Sequence, residues 1–334
     1  MKVGIFLGTQ HPASADMRQQ FEGHLEQTQV IRDCGYDSLW LSQHYLTFPY
    51  QFFQTIPLLG RLAAESGDMT IGTNIFVLPL HNVIDIAEQF ATLDIISNGR
   101  LIFGAALGYR DIEYNNFGIN RKTRAARFEE QIDALKMLWE QDNATYQGKH
   151  VKFENISIRP KPMQKPRPPI WLGATAEPAI KRAALKGDAW IATQDATVAT
   201  MKNQVALYHQ TRIVAALTAQ VEFARCVELF VAETREKAFA NSAPHIAEKY
   251  RTYHAWGAGN NVQGMSTAAL SIEDLIKDRF IIGDPEDCVR KCIEQRDLLR
   301  VTHLLVRLNF PGIPQQDVLK AFRLFAKEVL PHIR

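Results

Sequence analysis

His44 follows a short apolar run and is the titratable residue best placed for proton transfer. The run Ser38-Leu-Trp-Leu41 leads into Ser42-Gln43-His44-Tyr45. An imidazole with an ordinary pKa of about 6.5 exchanges protons near neutral pH, which suits general acid or base catalysis. The alternative is a histidine that only hydrogen-bonds a neighbouring loop. His81 has the same alternative and fewer features in favour of catalysis.

Two further features could bind an anion such as a phosphate. Gly173-Ala174-Thr175 stands between a predicted strand and a predicted helix, where backbone N–H groups can face a phosphate. Arg124 opens a predicted helix after a loop and could donate two parallel hydrogen bonds to the same anion. Small residues also serve simply to turn the chain, and the arginine could equally lie on the surface. The composition leaves both pairs of alternatives open.

The sequence lacks the motifs of several large enzyme classes. It contains no GxxxxGK[ST], no GxSxG, no HExxH and no GxGxxG after a strand, which disfavours a hydrolase and a protein that binds its own nicotinamide cofactor. The four cysteines form no CxxC pair. Cys288 and Cys292 lie four apart on a predicted helix and are expected to pack rather than to bind metal. Aspartates and histidines at strand ends could still assemble a metal site, but no spacing singles one out.

Short apolar segments alternate with helical patterns along the chain, which predicts an α/β fold. Strands are predicted at 3–7, 38–41, 70–77, 100–106, 170–173, 189–193, 223–231 and 302–308, and helices at 17–31, 83–96, 123–141, 177–186, 198–219, 234–254 and 315–330. Length alone suggests two domains. Eight predicted strands that alternate with helices instead favour one (β/α)8 TIM barrel over 1–334, with its active site at the carboxyl ends of the strands.

Two segments exceed a minimal barrel. Residues 145–169 follow the fourth predicted helix and are polar and then proline-rich, which predicts a hairpin and a strap. Residues 255–282 precede the last strand and open with a stretch of glycines and asparagines. Connections of that length are usually functional lids or disordered segments. We expect 255–282 to close over the active site.

The composition restricts the partners of the chain. With 38 basic and 36 acidic residues among 334, the net charge is only +2, so nothing favours binding of nucleic acid. The apolar run at Met1–Leu7 is too short for a signal peptide, and no segment approaches 18 consecutive apolar residues. We therefore expect a cytoplasmic protein that does not insert into membranes.

Several longer segments carry a family resemblance. They are Cys34-Gly-Tyr-Asp-Ser-Leu-Trp-Leu-Ser-Gln-His44, Ile71–Pro79, Ala91–Gly104, Arg159–Trp171, Ile282–Glu286 and Phe325–Pro331. In these segments, which span the chain, the sequence resembles the bacterial luciferase-like flavin-dependent monooxygenases. The resemblance implies a TIM barrel that binds a reduced flavin, FMN in preference to a deazaflavin, at the strand ends and uses it to activate dioxygen.

The resemblance also implies roles for individual residues. His44 matches the catalytic histidine of the family. Asn74 and Ile75 match a bulge that holds a cis peptide under the flavin ring, and Arg124 matches a residue that binds the phosphate together with the amides of Ala174 and Thr175. The cofactor-binding residues that the resemblance implies are Asn74, Ile75, Ala106, Arg124, Gly173, Ala174, Thr175 and Thr193.

The chain departs from luciferase itself at several of these positions. A reactive cysteine, an arginine, a glutamate and a serine of luciferase are replaced by Ala106, Leu107, Thr175 and Ala176. The phosphate would therefore depend more on Arg124 and on backbone amides. Gln43 replaces the common glutamate before the histidine, which removes a nearby negative charge. Light emission is not implied.

The missing dinucleotide fingerprint suggests that the reduced flavin comes from a separate reductase, which would make the chain the oxygenase part of a two-component system. Aromatic residues near the strand ends predict a pocket for a small apolar substrate such as an aldehyde, a ketone or a terpene-like compound, although they could equally pack loops. They are Tyr45, Phe48, Tyr50, Phe52, Phe53, Phe76 and Tyr109. The alternatives are a deazaflavin-dependent oxidoreductase of the same fold and a non-catalytic flavin-binding subunit. The family also suggests a homodimer, and the predicted helix Val83–Ile96 has the apolar breadth for its interface.

Overall fold

Eight parallel strands form a closed barrel in the computed structural model, which describes residues 1–217, 222–258 and 271–334. The strands are β1 (Lys2–Leu7), β2 (Ser38–Leu41), β3 (Thr70–Thr73), β4 (Leu101–Ala106), β5 (Ile170–Gly173), β6 (Ala189–Ala192), β7 (Glu222–Val231) and β8 (His303–Arg307). Each pairs in parallel with the next, and β8 pairs with β1 through Lys2 opposite His303. The predicted (β/α)8 TIM barrel is confirmed.

Helices surround the barrel. They are α1 (Met17–Asp33), α2 (Thr55–Ala63), α3 (Val83–Ile96), α4 (Asp111–Asn116), α5 (Arg124–Glu140), α6 (Glu177–Lys186), α7 (Val198–Val214), α8 (Arg235–Ala255), α9 (Ile272–Asp278), α10 (Pro285–Leu299), α11 (Gln315–Glu328) and α12 (Leu330–Ile333). Side-chain caps fix several of their starts; Asp16 Oδ1 accepts from the Arg18 N–H at 2.9 Å at the start of α1. None of the helices in the described ranges is long and apolar enough to cross a membrane.

The predicted insertions are built from short elements. Residues 145–169 contain the antiparallel hairpin of Ala144–Gln147 and Lys152–Ile156, as expected. Within 255–282 the structure contains α9 and the beginning of a short strand, Ile281–Gly283, which pairs with β7. The middle of the expected lid, residues 259–270, lies outside the described residues. Another short pair, Gln10–Pro12 with Tyr50–Phe52, links the loops after β1 and β2.

Several elements differ from the sequence pattern. The predicted strand 70–77 divides into β3 and a two-residue strand, Phe76–Val77, because the Asn74–Ile75 peptide between them is cis. Helix α7 ends at Val214, whereas the pattern predicts helix to 219. Helix α2 is not predicted at all, since it contains Pro57 and Gly60. Pro57 lies in the first turn, where the missing N–H is tolerated.

Large aromatic side chains fill the inside of the barrel. The rings of Trp40 on β2 and Trp171 on β5 stack with their centroids 5.1 Å apart. Gly72 on β3 makes room for them, because a Cβ there would overlap the Trp40 ring. Their interior layer also contains Phe6, Ala224, Cys226 and Leu305. The opposite faces of the same strands pack on the helices in a separate apolar core.

Three buried histidines and the half-buried His81 are held in the neutral form. Nε2 of His11 lies 2.9 Å from Nε2 of His24, so one ring must donate while the other accepts. Burial lowers the pKa of His11 to about 4 and that of His24 to about 3, and the neighbouring ring lowers the latter further. Burial likewise lowers the pKa of His81 and of His303 to about 4.

These shifts predict that acid destabilises the fold well before most carboxylates are protonated. The unfolded chain binds protons near pH 6.5 and the folded chain only near pH 4, so the stability is complete above pH 6.5 and falls as the pH drops between these values. We expect each histidine to remove about 2 kcal/mol of unfolding free energy at pH 5 relative to pH 7.5. Urea titrations across this range measure it.

A histidine substitution separates this effect from general acid sensitivity. The variant His24→Leu removes one titrating group and should lose less stability between pH 7.5 and pH 5 than the wild type. His332→Gln, at an exposed position, is the control and should follow the wild-type curve. A His24→Leu variant with an unchanged pH dependence would contradict the assignment.

Candidate active site

His44 is held by a buried carboxylate at the carboxyl end of the barrel. It lies in the loop after β2, and its Nδ1 is 3.0 Å from Oε1 of Glu113 in α4. The same oxygen accepts from the Tyr45 N–H at 3.0 Å and lies 3.2 Å from Nη1 of Arg110. A carboxylate can only accept, so Nδ1 carries the proton of the neutral ring and Nε2 is left to exchange a proton with a ligand.

The surroundings keep the Glu113 carboxylate ionised. Burial raises its pKa, but the hydrogen bonds from His44 and from the Tyr45 N–H, together with the nearby Arg110 guanidinium, outweigh burial and lower it below its usual value. Gln43 carries no charge, as its replacement of the common glutamate implies, and Glu113 supplies a negative charge to His44 from 69 residues further along the chain.

Four aromatic rings surround the His44 imidazole. They belong to Phe52, Tyr109, Tyr253 and Trp256, with centroids 5.9, 5.7, 6.4 and 6.0 Å from that of His44. We call them the aromatic cage. Two of the predicted pocket residues, Phe52 and Tyr109, belong to it. The Arg110 guanidinium lies 4.1 Å above the Trp256 ring and so joins the cage to Glu113.

Other predicted pocket aromatics point elsewhere. Phe76 is fully buried against Phe90 on the outer side of the barrel, so the prediction that it lines the pocket is wrong. Phe53 packs on the rings of His11 and His24, so the same prediction is wrong for Phe53. Among the remainder, Tyr45 packs on Phe117, Tyr50 packs on Trp256, and Phe48 is exposed to solvent.

His81 has a structural environment. Its ring stacks on Phe76 at 4.4 Å, and its Nε2 lies 3.2 Å from Oε1 of Gln43. The same Gln43 oxygen accepts from the Val77 N–H at 3.0 Å. Gln43 therefore connects the loop after β2 to the segment after β3, and His81 supports that connection.

Ile75, Ala106 and Gly173 come together at one point of the barrel rim. A Cβ added to Gly173 would lie 2.9 Å from Cγ2 of Ile75 and 3.2 Å from Cβ of Ala106. The Asn74 backbone N–H donates to Leu41 O at 2.7 Å, and the Asn74 side chain donates to Sγ of Cys226 at 2.8 Å. The cis peptide Asn74–Ile75 is thus fixed from both sides at this point of the rim.

The predicted phosphate-binding residues lie at two neighbouring strand ends and at the start of α5. The Ala174 N–H donates to Ile191 O at 3.3 Å, so this predicted donor is already engaged in the sheet, and Thr175 follows it. Ala176 begins α6 without a side-chain cap. Thr193 follows β6, and its Oγ1 is buried without a hydrogen-bond partner.

Arg124 is the first residue of α5. Its Nη1 donates to Arg121 O at 2.9 Å, while its Nε is buried and has no hydrogen-bond partner. The hydroxyl of Tyr109 in the aromatic cage is likewise buried and unpartnered. Buried polar groups are normally satisfied, so these atoms and Thr193 Oγ1 fit a ligand with polar and anionic groups. No cluster of three metal-ligating side chains occurs in the described ranges.

Several residues of the site escape prediction from the sequence. Glu113 stands among the strand-end residues, but nothing in its spacing pairs it with His44. Arg110, Cys226, Tyr253 and Trp256 carry no signal in isolation, because each acts through a contact with a distant part of the chain.

Comparison with known proteins identifies what the barrel resembles. The family model described as luciferase-like monooxygenase matches residues 1–302. The chain is 29% identical over 181 residues to the oxygenase component of a flavin-dependent trigonelline monooxygenase of Acinetobacter baylyi, covering 52% of this chain and 49% of that one. It is 25% identical over 314 residues to an F420-dependent glucose-6-phosphate dehydrogenase of Amycolatopsis mediterranei, covering 90% and 91%.

A solved structure shares the fold over the whole chain. The oxygenating constituent of 3,6-diketocamphane monooxygenase from Pseudomonas putida, in complex with FMN, superposes with a TM-score of 0.82 at 16% identity. The match covers 100% of this chain and 99% of that one.

The buried carboxylate should be essential to the local fold. In Glu113→Gln the side chain keeps its shape but no longer balances Arg110, and breaking a buried ion pair in this way typically costs about 3–5 kcal/mol. We expect the unfolding free energy measured in urea to fall by about 2–4 kcal/mol, since the amide oxygen can still accept from Tyr45.

A neighbouring acidic residue provides the control. Asp111 also belongs to α4, but it is solvent-exposed and pairs with Arg121 at the surface. Asp111→Asn should change the unfolding free energy by less than about 1 kcal/mol. Equal losses of unfolding free energy in the two variants would contradict the prediction that the buried carboxylate of Glu113 stabilises the fold more than an exposed one.

Proposed function

The chain belongs to the luciferase-like monooxygenase family and is an oxidoreductase, and from that premise we propose that it is the FMN-dependent oxygenase component of a two-component monooxygenase. The observation that carries this proposal is the His44–Glu113 pair inside the aromatic cage, at the same barrel rim as the cis peptide Asn74–Ile75. A group that can exchange protons and the cis peptide thus lie at one end of the barrel.

The residues of the rim have separable tasks in this proposal. Ile75, Ala106 and Gly173 would lie against the flavin ring, because they come together at the rim and two of them carry no side chain beyond a Cβ. Arg124, together with Thr175 and the hydroxyl of Thr193, would hold the phosphate, since Arg124 Nε and Thr193 Oγ1 are buried donors without partners. Reduced FMN, when bound, supplies the electrons that activate dioxygen.

His44 would move the proton that oxygen transfer requires. With Nδ1 held by the Glu113 carboxylate, the ring keeps one tautomer, and Nε2 is the nitrogen that would exchange the proton. The cage excludes water from the reacting atoms and strengthens the electrostatic effect of the carboxylate. It also favours a small and mostly apolar substrate, such as an aldehyde, a ketone or a terpene-like compound.

A separate flavin reductase is part of the proposal. The trigonelline relative is an oxygenase component by name, and this chain has no dinucleotide-binding motif of its own.

Two further proposals concern assembly and organisation. Ile95 and Ile96 of α3 expose about half of their surfaces, which supports a homodimer that covers them. The whole chain 1–334 is proposed to fold as one luciferase-like domain in the cytoplasm.

If a reductase supplies the flavin, the purified protein should not oxidise NADH or NADPH by itself. We expect mixtures of the protein, oxidised FMN and NADH to show no more loss of absorbance at 340 nm than FMN and NADH alone. Adding an unrelated FMN reductase should then start turnover of a suitable substrate. Rapid NADH oxidation without a reductase would contradict the two-component proposal.

The second candidate is a deazaflavin-dependent oxidoreductase, which is favoured by the length of the match to the F420-dependent relative. Anaerobic titration with reduced FMN and with reduced F420 distinguishes the two. We expect reduced FMN to bind at least tenfold more tightly, because the family model that matches residues 1–302 is that of the luciferase-like monooxygenases. Tighter binding of reduced F420 would reverse the assignment.

A further inference from the structure

A buried cluster of charged residues lies inside the barrel at the ends of β7 and β8. Glu228 and Arg307 face each other in register on these strands and are almost fully buried. Lys249 and Tyr250 reach them from α8, and Asp195 from the loop after β6. None of these residues has a task in the proposed reaction.

The charges within this cluster are unevenly paired. Oε1 of Glu228 accepts from the Lys249 ammonium in a short contact and from the Tyr250 hydroxyl at 3.2 Å. Arg307 Nη1 is 3.5 Å from the same oxygen but makes no hydrogen bond to it. The Tyr250 oxygen also lies 3.1 Å from Asp195 Oδ1, although its single proton can be donated to only one of the two carboxylates; burial, followed by the nearby Glu228, raises the pKa of Asp195. Lys249 is therefore the closer partner of Glu228, and Arg307, which pairs with Glu228 only at the longer distance, is the less closely paired of the two cations.

The Arg307 guanidinium is incompletely satisfied. Its carbon lies 3.8 Å above the Phe6 ring, and the group also interacts with the Tyr253 hydroxyl. Its Nε and Nη1 are buried without a hydrogen-bond partner. A buried cation in this condition is costly unless an anion or an acceptor completes its surroundings.

Arg225, the other fully buried arginine of β7 and β8, has a hydrogen-bond partner for each of its guanidinium nitrogens. Its Nε donates to Gln295 at 2.6 Å, its Nη2 to Ala196 O at 3.0 Å and its Nη1 to Thr193 O at 3.4 Å. All three nitrogens are used. Arg225 lies on the outward face of β7, whereas Arg307 faces the interior.

The position of Arg307 is intermediate between the two parts of the site. Cys226 lies on the inward face of β7, two residues before Glu228, and accepts the hydrogen bond from the Asn74 side chain. Tyr253, whose hydroxyl interacts with the Arg307 guanidinium, belongs to the aromatic cage around His44. Arg307, the last residue of β8, thus lies at the same end of the barrel as the surface assigned to the flavin ring and the cage.

We propose that Arg307 is a cofactor-contacting residue that stabilises the negative charge of the reduced flavin ring. This inference rests on the proposed binding of reduced FMN at the rim. A reduced flavin that has lost its ring proton carries negative charge, whereas the oxidised ring is neutral. A fixed cation beside the ring therefore favours the reduced form, which is the form that an oxygenase component must take from its reductase.

The test compares the affinities of the two redox forms in the intact protein. Arg307→Met keeps a side chain on Phe6 but removes the charge, and Arg307→Lys keeps the charge. Anaerobic calorimetric titrations with reduced FMN and titrations with oxidised FMN give both dissociation constants without turnover. We expect Arg307→Met to weaken reduced FMN at least tenfold and oxidised FMN less than threefold, and Arg307→Lys to fall between Arg307→Met and the wild type.

The expected change in the affinity ratio is also a change in potential. A tenfold loss of preference for the reduced form lowers the two-electron midpoint potential of bound FMN by about 30 mV. Arg290→Met is the matched control, since it removes one arginine charge from the exposed side of α10. It should retain the wild-type ratio.

Two outcomes overturn the inference. One is an Arg307→Met variant that binds both forms with the wild-type ratio, and the other is an equal weakening of both forms, which would indicate a structural residue. If Arg307→Met does not fold by circular dichroism, Glu228→Gln provides the opposite arm. It removes the negative charge that faces Arg307, so the preference for reduced FMN should rise, and an unchanged or lower preference overturns the inference.

Failure of the proposed function would look different. In that case the wild-type protein itself would not bind reduced FMN. A wild type that binds reduced FMN, with Arg307 variants that leave the ratio unchanged, would contradict the role of Arg307 alone.

Discussion

Burial of charge at the carboxyl end of the barrel is the constraint on which the site depends. An ionised group removed from water must find partners, and in a barrel these partners come from other strands and loops. Glu113 satisfies this requirement by binding the loop that carries His44 and the guanidinium of Arg110. The same contacts that offset the buried charge of Glu113 therefore fix the orientation of the His44 ring, which would exchange protons.

The same constraint connects the rim to the barrel interior. Asn74 is bound through its side chain to Cys226 and through its backbone to Leu41, so the cis peptide is positioned by β7 on one side and β2 on the other. Gln43 adds a second connection, since its backbone N–H donates to Ile75 O at 3.1 Å. The surface assigned to the flavin and the loop assigned to proton transfer are therefore parts of one hydrogen-bonded unit.

Local patterns in the sequence predict most of the scaffold. The strands are short apolar runs bounded by turns, and a periodic apolar face identifies helices such as α3 and α5. Patterns fail where a local rule is overridden by packing. Pro57 and Gly60 disguise α2, whose Leu58, Leu59 and Leu62 are buried against the barrel. The site depends even more on distant contacts, because Glu113 reaches His44 across 69 residues and no spacing in the sequence encodes that pairing.

One part of the site was nevertheless accessible from alternation along the strands. Successive residues of a strand face opposite sides, so Ala224, Cys226 and Glu228 share one face of β7, and Leu305 and Arg307 share one face of β8. Phe223, Val227, Leu304 and Val306 lie on the helix-covered faces. Because Leu305 fills the barrel interior, the charge two residues later must enter the same interior at its open end. A glutamate and an arginine in these positions cannot be explained by packing, since apolar side chains fill such a space at a lower cost in desolvation. The presence of Glu228 and Arg307 at the end of the barrel where ligands bind is the expected result if a charged ligand completes the cluster.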